Sequence, residues 1–251
     1  MEIAIGCQIP SQKTFDRAVK KSQLHLITDF LQRAPDLINL ISNSFTPLAC
    51  ATNNNDLNVV KLLLDNGADV NLGIPEMKRT PLHIAIFKGY VEKNGMADLL
   101  IAHKANLRAR DTLGLSIAHH AIDSNNLAAV EYCLDKGIHT ETRDDCGYTL
   151  LLRGIVTRAN LDIIRLLLDR KAAQTVRDKN KMSVLFHVRM TNDNNLVELL
   201  QNYKPKSKFN TKQKLTQSVQ RLILSRKMQK EEVELEDEET APTSAFDKIY
   251  E

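Results

Sequence analysis

The feature that most constrains the fold of this chain is an internal repeat with a period close to 33 residues. Two identical tripeptides, Thr46-Pro47-Leu48 and Thr80-Pro81-Leu82, lie 34 residues apart. The position three residues after each leucine recurs at separations of 33, 34, 36, 33 and 34 residues, as Ala18, Ala51, Ala85, Ala121, Gly154 and Val188. A fixed period of about 20 to 50 residues is typical of stacked repeat architectures. The pattern therefore predicts six similar units stacked along the chain.

Each unit predicts two helices joined by a short loop. Thr46 and Thr80 stand directly before a proline. A threonine hydroxyl is a good N-cap, and proline at the first helical position loses no hydrogen bond. Residues 59–64 are apolar at helical spacing, and Gly67 follows them as glycine commonly follows a helix. A chain built from such pairs is predicted to be all-α.

The motif residues identify the repeat type by resemblance. Residues 80–85 read T-P-L-H-x-A, the ankyrin pattern, and residues 62–71 are similar to the second half of the same consensus. Weaker copies stay in phase at 15–18, 114–121, 147–154 and 181–188. The chain thus resembles the ankyrin-repeat family over residues 12–203, with degenerate first and last copies. The resemblance implies a solenoid of about six repeats that binds a protein partner.

Two copies depart from the pattern. The third is about three residues longer between Gly89 and Met96, with a glycine at each end of the extra segment. We expect a loop there, which is either a tolerated insertion or a contact loop. The fifth copy has Lys171-Ala172-Ala173 in place of Gly-Ala-Asp, so its second helix is expected to be strained or to end differently.

The histidines and cysteines fit structural roles better than catalytic ones. His83 and His119 occupy the H position of the motif, where the resemblance implies hydrogen bonding within and between turns. His119 and His120 are adjacent, so on a helix they point about 100° apart and do not converge on a metal. No C-x-x-C pair and no phosphate-binding glycine motif is present. We therefore predict no enzyme activity, cofactor, metal site or small-molecule substrate.

Composition and charge indicate the cellular location and the class of partner. Four cysteines in 251 residues suggest reduced thiols and an intracellular location, cytoplasmic, nuclear or both. No apolar stretch approaches 18 residues, and no leader is evident, so no membrane contact is predicted. The formal net charge is +3, and only +2 of it belongs to residues 1–203. That near-neutral body does not support direct nucleic-acid binding.

The segments outside the repeats have contrasting composition. Residues 1–11 are an N-terminal extension. Residues 204–230 carry nine basic and no acidic residues, and residues 231–251 carry nine acidic residues and one lysine. In the basic segment, Leu215, Val219, Leu222 and Ile223 share one helical face, so an amphipathic helix is predicted that either packs on the last repeat or docks elsewhere. The acidic tail is predicted to be disordered.

The resemblance also implies where a partner binds, namely the concave face and the turn tips. Two sets of positions follow from it. The residues just before the Thr or Ser of each copy are Phe45, Arg79, Leu115, Tyr148 and Met182. Those near the end of each first helix include Phe87, Lys88, Asp123, Val156 and Met190. Aromatic, methionine and arginine side chains are enriched in interface cores. We predict that the first set forms one exposed ladder, although Tyr148 or Phe45 could instead join neighbouring repeats.

Asn71 is a candidate modification site by the same resemblance. It ends the segment Ala68-Asp69-Val70-Asn71, and Leu63 lies eight residues upstream. Asparagines at this place in ankyrin repeats are sometimes hydroxylated. The alternative is that Asn71 simply hydrogen-bonds its own turn.

The predicted function is a non-enzymatic scaffold or adaptor, monomeric when unbound, whose partner the sequence does not identify. Two alternatives stay open. The chain could recruit substrates to a ubiquitin ligase or another enzyme complex, although no SOCS-box or F-box pattern is evident. It could also inhibit a partner such as a transcription factor by masking its surface. The Arg-Asp-x-x-Gly phasing resembles the ankyrin portion of proteins that join a fibronectin type III domain to ankyrin repeats, which would favour a nuclear or regulatory role.

Overall fold

The computed structural model describes residues 11–42, 44–91 and 95–203, which form six successive helix pairs. Within these ranges there are twelve α-helices, one 3-10 helix at Pro35–Asn39, and no β-strand. The first helices of the pairs are α1 Gln12–Lys20, α3 Pro47–Asn53, α5 Pro81–Phe87, α7 Ile117–Asp123, α9 Leu150–Val156 and α11 Val184–Thr191. The second helices are α2 Leu24–Arg33, α4 Leu57–Asp65, α6 Met96–Ala102, α8 Leu127–Asp135, α10 Leu161–Asp169 and α12 Asn194–Asn202. The all-α solenoid of six repeats is confirmed.

Some predictions concern residues outside this description. The N-terminal extension before Ser11, the basic amphipathic segment 204–230 and the acidic tail 231–251 all lie outside the described residues. Most of the extra residues in the third copy, 92–94, also do. The described structure resumes at Gly95, which adopts the left-handed conformation with φ of 65°. Helix α6 begins at the next residue, Met96.

The first helices begin as their sequence predicts. The Thr46 hydroxyl accepts a hydrogen bond from the backbone N–H of Ala49 at 3.0 Å. At α5 the Thr80 N–H donates to Nδ1 of His83, 3.3 Å away, and the hydroxyl lies 2.9 Å from the same nitrogen. Ser116 and His119 repeat this reciprocal cap at α7. The motif histidines are therefore capping residues.

The second helices end in left-handed residues, as the glycine positions predict. Gly67 and Gly137 both have φ of 89° and follow α4 and α8. Lys171 takes the same place after α10 with φ of 65°. A side chain in this conformation costs about 1 kcal/mol relative to glycine. The second helix of the fifth copy thus ends in the same kind of left-handed turn as α4 and α8, with a lysine where they have glycine.

Close packing of neighbouring first helices builds the stack. Helix α3 contacts α1 and α5, and α7 contacts α5 and α9. The small-residue positions Ala51, Ala85 and Ala121 are completely buried. A Cβ on Gly154 would lie 2.9 Å from Cδ1 of Ile164, so the two helices of the fifth copy approach closely there. One continuous apolar core runs from Phe15 to Leu200, which fixes each repeat against the next.

Between the helix pairs, short hairpin-like turns link one repeat to another. We call residues 74–79, 111–115, 144–148 and 178–182 the fingers. In the second of these, Oδ1 of Asp111 accepts from the backbone N–H groups of Leu113 and Leu115, both at 2.9 Å. Successive fingers are joined by single backbone hydrogen bonds: Thr112 N–H to Met77 O, Asp145 N–H to Leu113 O, and Lys179 N–H to Cys146 O. The fingers are therefore a bonded row that holds the first helices in register.

Candidate protein-binding face

The candidate binding face consists of the fingers and the exposed sides of the first helices. We call it the first-helix face. The second helices lie on the other side of each pair. Sequence reasoning placed ten candidate contact residues on this face, and the structure separates them into buried, shared and exposed positions.

The predicted ladder is only partly exposed. Leu115 is 2% exposed, so the prediction that its position is open to solvent is wrong. Phe45 is half-buried and packs with Ala49, Ile74 and Ile84. Met182 is exposed. Phe45 therefore packs between neighbouring repeats, which was the alternative to an exposed ladder.

Tyr148 shows why a ladder residue can be partly buried. Its carbonyl oxygen lies 3.2 Å from Nε2 of His119, the motif histidine of the preceding repeat. Its ring packs edge-on against the ring of His187 in the following repeat, with centroids 5.6 Å apart. A residue whose backbone is fixed by one repeat and whose ring contacts the next is held between the two. Tyr148 thus helps to stack the neighbouring repeats.

The residues near the ends of the first helices are more accessible. Phe87, Val156 and Met190 are exposed by 42%, 40% and 67%, and Lys88 is exposed as well. The Phe87 ring stacks edge-on against His120, with centroids 6.2 Å apart. The apolar side chains lie at the ends of α5, α9 and α11, and the charged Asp123 of α7 interrupts them.

Asp123 differs from its neighbours in this set, because it is already engaged. Its two carboxylate oxygens accept from Nε and Nη2 of Arg153, each at 2.7 Å. Nη1 of Arg153 also lies 3.5 Å from Oδ2 of the buried Asp144. The guanidinium therefore bridges two repeats, and the pKa of Arg153 rises through its hydrogen bond to Asp123. Both oxygens of Asp123 are therefore used in the ion pair that joins two repeats.

Arg79 contributes charge at the centre of the face. Its Nε lies 3.6 Å from Oδ2 of Asp111, and that oxygen also lies 3.0 Å from Nε2 of His120. Burial raises the pKa of Asp111, but the backbone N–H groups of Leu115 and Leu113 and the nearby His120 outweigh it, so the pKa falls below its ordinary value. Asp111 is thus ionised at neutral pH, and Arg79 stays beside it with about a third of its side chain exposed.

The motif histidines are neutral and buried. Burial lowers the pKa of His83 and of His119 to about 4 in each case. Burial, then the charge of Arg79, lowers that of His120. Imidazoles that carry no charge and cap helices do not act as acid–base groups near neutral pH. Their role is to hold the first helices in place.

Two exposed apolar side chains in the last repeat were not among the predicted contact residues. Leu185 and Phe186, 57% and 41% exposed, occupy the positions that Leu82 and His83 fill in the third copy. Those two are completely buried because another repeat covers them. Met77 and Leu113 project from finger tips with 44% and 60% exposure. Their turn positions were the signal that pointed to them.

Asn71 links two repeats instead of only its own turn. Its Oδ1 accepts from the backbone N–H of Asn106 at 2.7 Å, and its Nδ2 donates to the carbonyl of Lys104 at 3.3 Å. Its own N–H donates to Asp69 within the turn. The residue is nevertheless exposed, so its side chain is a surface bridge between the second and third repeats.

The described part of the chain shows no metal-binding cluster and no membrane-spanning helix. Among residues 11–42, 44–91 and 95–203, no three His, Cys, Asp or Glu residues are placed to hold a metal ion. Cys50, Cys133 and Cys146 are free thiols, and burial raises the pKa of Cys133 to about 12. None of the helices in those ranges is long and apolar enough to cross a bilayer.

Comparison with known proteins agrees with this architecture. A family model described as ankyrin repeats in three copies matches residues 15–93 and again 90–178. The chain belongs to the ankyrin-repeat family. Ankyrin repeats are protein–protein interaction modules, and the repeats are what the family match covers in this chain.

Three similar proteins illustrate how widely such arrays are used. The chain is 29% identical over 135 residues to a putative ankyrin repeat protein, FPV031, of fowlpox virus, covering 53% of this chain and 39% of that one. It is 33% identical over 185 residues to the palmitoyltransferase AKR1 of Lachancea kluyveri, covering 72% and 23%. It is 27% identical over 186 residues to human ankyrin repeat and SOCS box protein 6, covering 66% and 42%. The chain thus spans less than half the length of each of these relatives.

Proposed function

We propose that this chain is a non-enzymatic scaffold or adaptor that binds a partner protein through the first-helix face. The observation that carries the proposal is the set of exposed apolar side chains at the ends of three first helices, α5, α9 and α11: Phe87, Val156 and Met190. Phenylalanine and methionine are enriched in the cores of protein interfaces. Charged Lys88 and Arg79 flank this set and supply the polar contacts that orient a partner.

The rest of the face supports this use. The fingers are tied into a bonded row, and the first helices are capped and closely packed, so little ordering is required on binding. A rigid surface loses less entropy when a partner docks. The exposed finger-tip residues Met77 and Leu113 extend the apolar surface beyond the helices.

Affinity capture from cell extract tests the proposal with matched variants. The test variant is Phe87→Ser with Val156→Ser, and the control is Leu24→Ser with Leu127→Ser on the second helices. The four side chains are exposed by 40% to 42%, so the two pairs remove similar surface from opposite sides. Capture of a given partner should fall at least tenfold with the test pair alone.

Circular dichroism and thermal melting of both variants check that the fold is intact. The proposal fails if the two variants capture the partner equally well, or if the second-helix pair alone loses it. If only the test pair has a lowered melting temperature, lost stability could explain the lost capture. The milder variant Phe87→Leu then replaces the test pair, and it should capture the partner because leucine keeps apolar volume.

A second candidate function is substrate recruitment for a ubiquitin ligase or another enzyme complex. It is favoured by the match of 66% of this chain to a protein whose name includes a SOCS box. The partners in this case include an enzyme component as well as a substrate. Recovery of ligase subunits with the intact chain, but not with the test pair, would favour it. Inhibition of a transcription factor by masking predicts instead a single captured factor that no longer binds its DNA.

We further propose that Asn71 accepts hydroxylation and that the chain is intracellular, in the cytoplasm, the nucleus or both. The exposed amide of Asn71 bridges two repeats without being buried, so an enzyme reaches it more easily than a core residue. Mass spectrometry of the chain from cells should find one added oxygen on the peptide containing Asn71. Unmodified Asn71 in all preparations contradicts this. The half-buried thiol of Cys50 and the buried one of Cys133 are consistent with a reducing compartment.

A further inference from the structure

Three arginines form a row beside the last three fingers. Arg110, Arg143 and Arg177 each stand directly before a finger, 33 and 34 residues apart, and all three residues are exposed. We call them the arginine row. They belong to the fourth, fifth and sixth repeats, so the row runs along the C-terminal half of the array.

Hydrogen bonds hold the three guanidinium groups in equivalent places. Nη1 of Arg143 donates to the carbonyl of Gly147 in its own finger, at 2.6 Å, and to the carbonyl of Arg177, at 2.7 Å. Nη1 of Arg110 makes the same two bonds one repeat earlier. Nη1 of Arg177 donates to a carbonyl of its own finger at 2.7 Å. Since the same nitrogen is bound in the same way each time, the row presents one guanidinium group per repeat.

The other nitrogens of the row are free to bind a partner. Within residues 11–42, 44–91 and 95–203, no hydrogen bond uses Nε or Nη2 of these arginines, and no ion pair includes them. Nε–H and the adjacent Nη2–H form a fork that matches the two oxygens of a carboxylate. Arg153 binds Asp123 through these same two nitrogens. Each arginine of the row can therefore take one carboxylate in that way.

The acidic residues next to the row are already engaged inside the fold. The residue after each arginine is an aspartate whose side chain is only 1% to 2% exposed. Its Oδ1 accepts from backbone N–H groups of the finger, and its Oδ2 lies near a basic side chain. The pairs are Asp111 with Arg79, Asp144 with Arg153 and Asp178 with His187. These buried carboxylates therefore have partners other than the arginine row.

The exposed charges around the row are mostly basic. The last three fingers and the three residues before each contain six exposed basic residues and two exposed acidic ones, Glu141 and Asp145. Oε1 of Glu141 already accepts from the backbone N–H of Ala173 at 2.9 Å. The surface around the row therefore favours an anionic group of a partner.

We propose that the arginine row binds an acidic segment of the partner protein, with one aspartate or glutamate side chain on each arginine. Packed helices lie about 8–10 Å apart, and three residues of an extended chain cover about 10 Å. Acidic side chains at every third position of the segment therefore match the row. The inference rests on the proposed function, since it assigns one part of the partner to the fingers of the first-helix face.

A nucleic acid fits this surface less well than an acidic peptide. Surfaces that bind nucleic acid are strongly basic, whereas residues 1–203 carry a net charge of only +2. Glu141 and Asp145 are exposed among the basic residues. They repel a continuous chain of phosphates more than they repel carboxylates that are spaced along a peptide.

Fluorescence anisotropy with labelled peptides tests the proposal on the intact chain. The probe is a short peptide of serine and glycine with a glutamate at every third position, and its control has glutamine at those positions. The glutamate peptide should bind about tenfold more tightly at low salt, as three exposed ion pairs allow. The difference should shrink as added salt screens the charges. Labelled oligothymidine of similar length is the nucleic-acid probe, and it should bind more weakly than the glutamate peptide.

Charge-matched variants locate the binding. Arg143→Gln with Arg177→Gln should weaken binding of the glutamate peptide about fivefold. The control is Lys61→Gln with Arg165→Gln on α4 and α10, which also removes two exposed cations that form no ion pair with described residues. It should change binding by less than about twofold, because distant charges are screened. If thermal melting shows that only the first pair is destabilised, Arg177→Gln alone replaces it. That variant loses a single hydrogen bond and should weaken binding about twofold.

Three results overturn the proposal: equal binding of the two peptides, arginine variants that bind as tightly as their controls, or tighter binding of oligothymidine than of the glutamate peptide. Since the chain carries its own acidic residues at 231–251, only binding by the intact chain counts in favour.

The peptide assay needs no captured partner, so it separates the two proposals. If the glutamate peptide binds as expected while Phe87→Ser with Val156→Ser leaves partner capture unchanged, the proposed function alone fails. If that pair loses the partner but the glutamate peptide is not preferred, the arginine row alone fails.

Discussion

Replacing Arg153 by methionine should destabilise the array by about 3 kcal/mol. Methionine keeps much of the aliphatic stem and removes the guanidinium. Two charge-assisted hydrogen bonds to Asp123 are lost, both at 2.7 Å, between side chains that are only 21% and 19% exposed. Those contribute about 2 kcal/mol together. The carboxylate of Asp144, with 2% side-chain exposure, then loses its nearest cation, which costs about 1 kcal/mol more.

Arg170 provides the matched control on the neighbouring helix α10. It pairs with Asp135 at 2.7 Å, but their side chains are 35% and 59% exposed. The same change to methionine there should cost about 0.5 kcal/mol, since exposed pairs contribute little. The two variants carry the same substitution, arginine to methionine. They differ mainly in how deeply the ion pair is buried.

Urea unfolding followed by circular dichroism measures the two losses at neutral pH. Since neighbouring repeats unfold as coupled units, hydrogen exchange in α7 and α9 should report the Arg153→Met change locally. Equal free-energy losses in the two variants, or a larger one for Arg170→Met, would refute the reasoning that Arg153 is an internal bridge between repeats.

The remaining predictions concern turns, pH and the surface bridge. Gly147→Ala should cost well over 2 kcal/mol in urea unfolding, because φ is 80° and a Cβ would lie 2.8 Å from the backbone nitrogen of Lys179. Gly67→Ala, with φ of 89° and nothing within 4 Å, should cost only about 1 kcal/mol, and equal costs would disprove the close contact. His83 and His119 have a pKa of about 4 against an ordinary 6.5, so the unfolded chain binds more protons between those values. The contribution of the two histidines to stability is full above pH 6.5 and should fall by about 3 kcal/mol per pH unit towards pH 4. Urea unfolding at a series of pH values measures this slope, and a flat profile contradicts it. Asn71→Ala should cost about 1 kcal/mol through the lost bridge to the next repeat, whereas no change in the urea midpoint would show that the bridge is not stabilising.

The helix caps could be predicted because they depend on neighbouring residues. Thr80 and His83 are three positions apart, and their reciprocal hydrogen bonding follows from that spacing. Gly67 after α4 is a similar local feature. The repeat period also predicted that the copies stack in chain order, because copies with the same core positions bury the same face.

Exposure on the binding face was harder to predict because it depends on residues one repeat away. Leu115 and Tyr148 share a motif position, yet one is buried and the other half-buried. Asp123 is engaged because Arg153 lies 30 residues later in the motif position that holds Ile84 in the third copy. The repeat motif does not specify that position, so the ion pair becomes evident only in the folded chain.

The measurement that tests the account most directly is hydrogen–deuterium exchange of the chain with and without its captured partner. Binding through the first-helix face predicts slower exchange in the fingers 74–79, 111–115 and 144–148 and at the ends of α5 and α9. Exchange in α4, α8 and α10 should stay the same. Protection confined to those second helices, with the fingers unchanged, would contradict the claim that the first-helix face binds the partner.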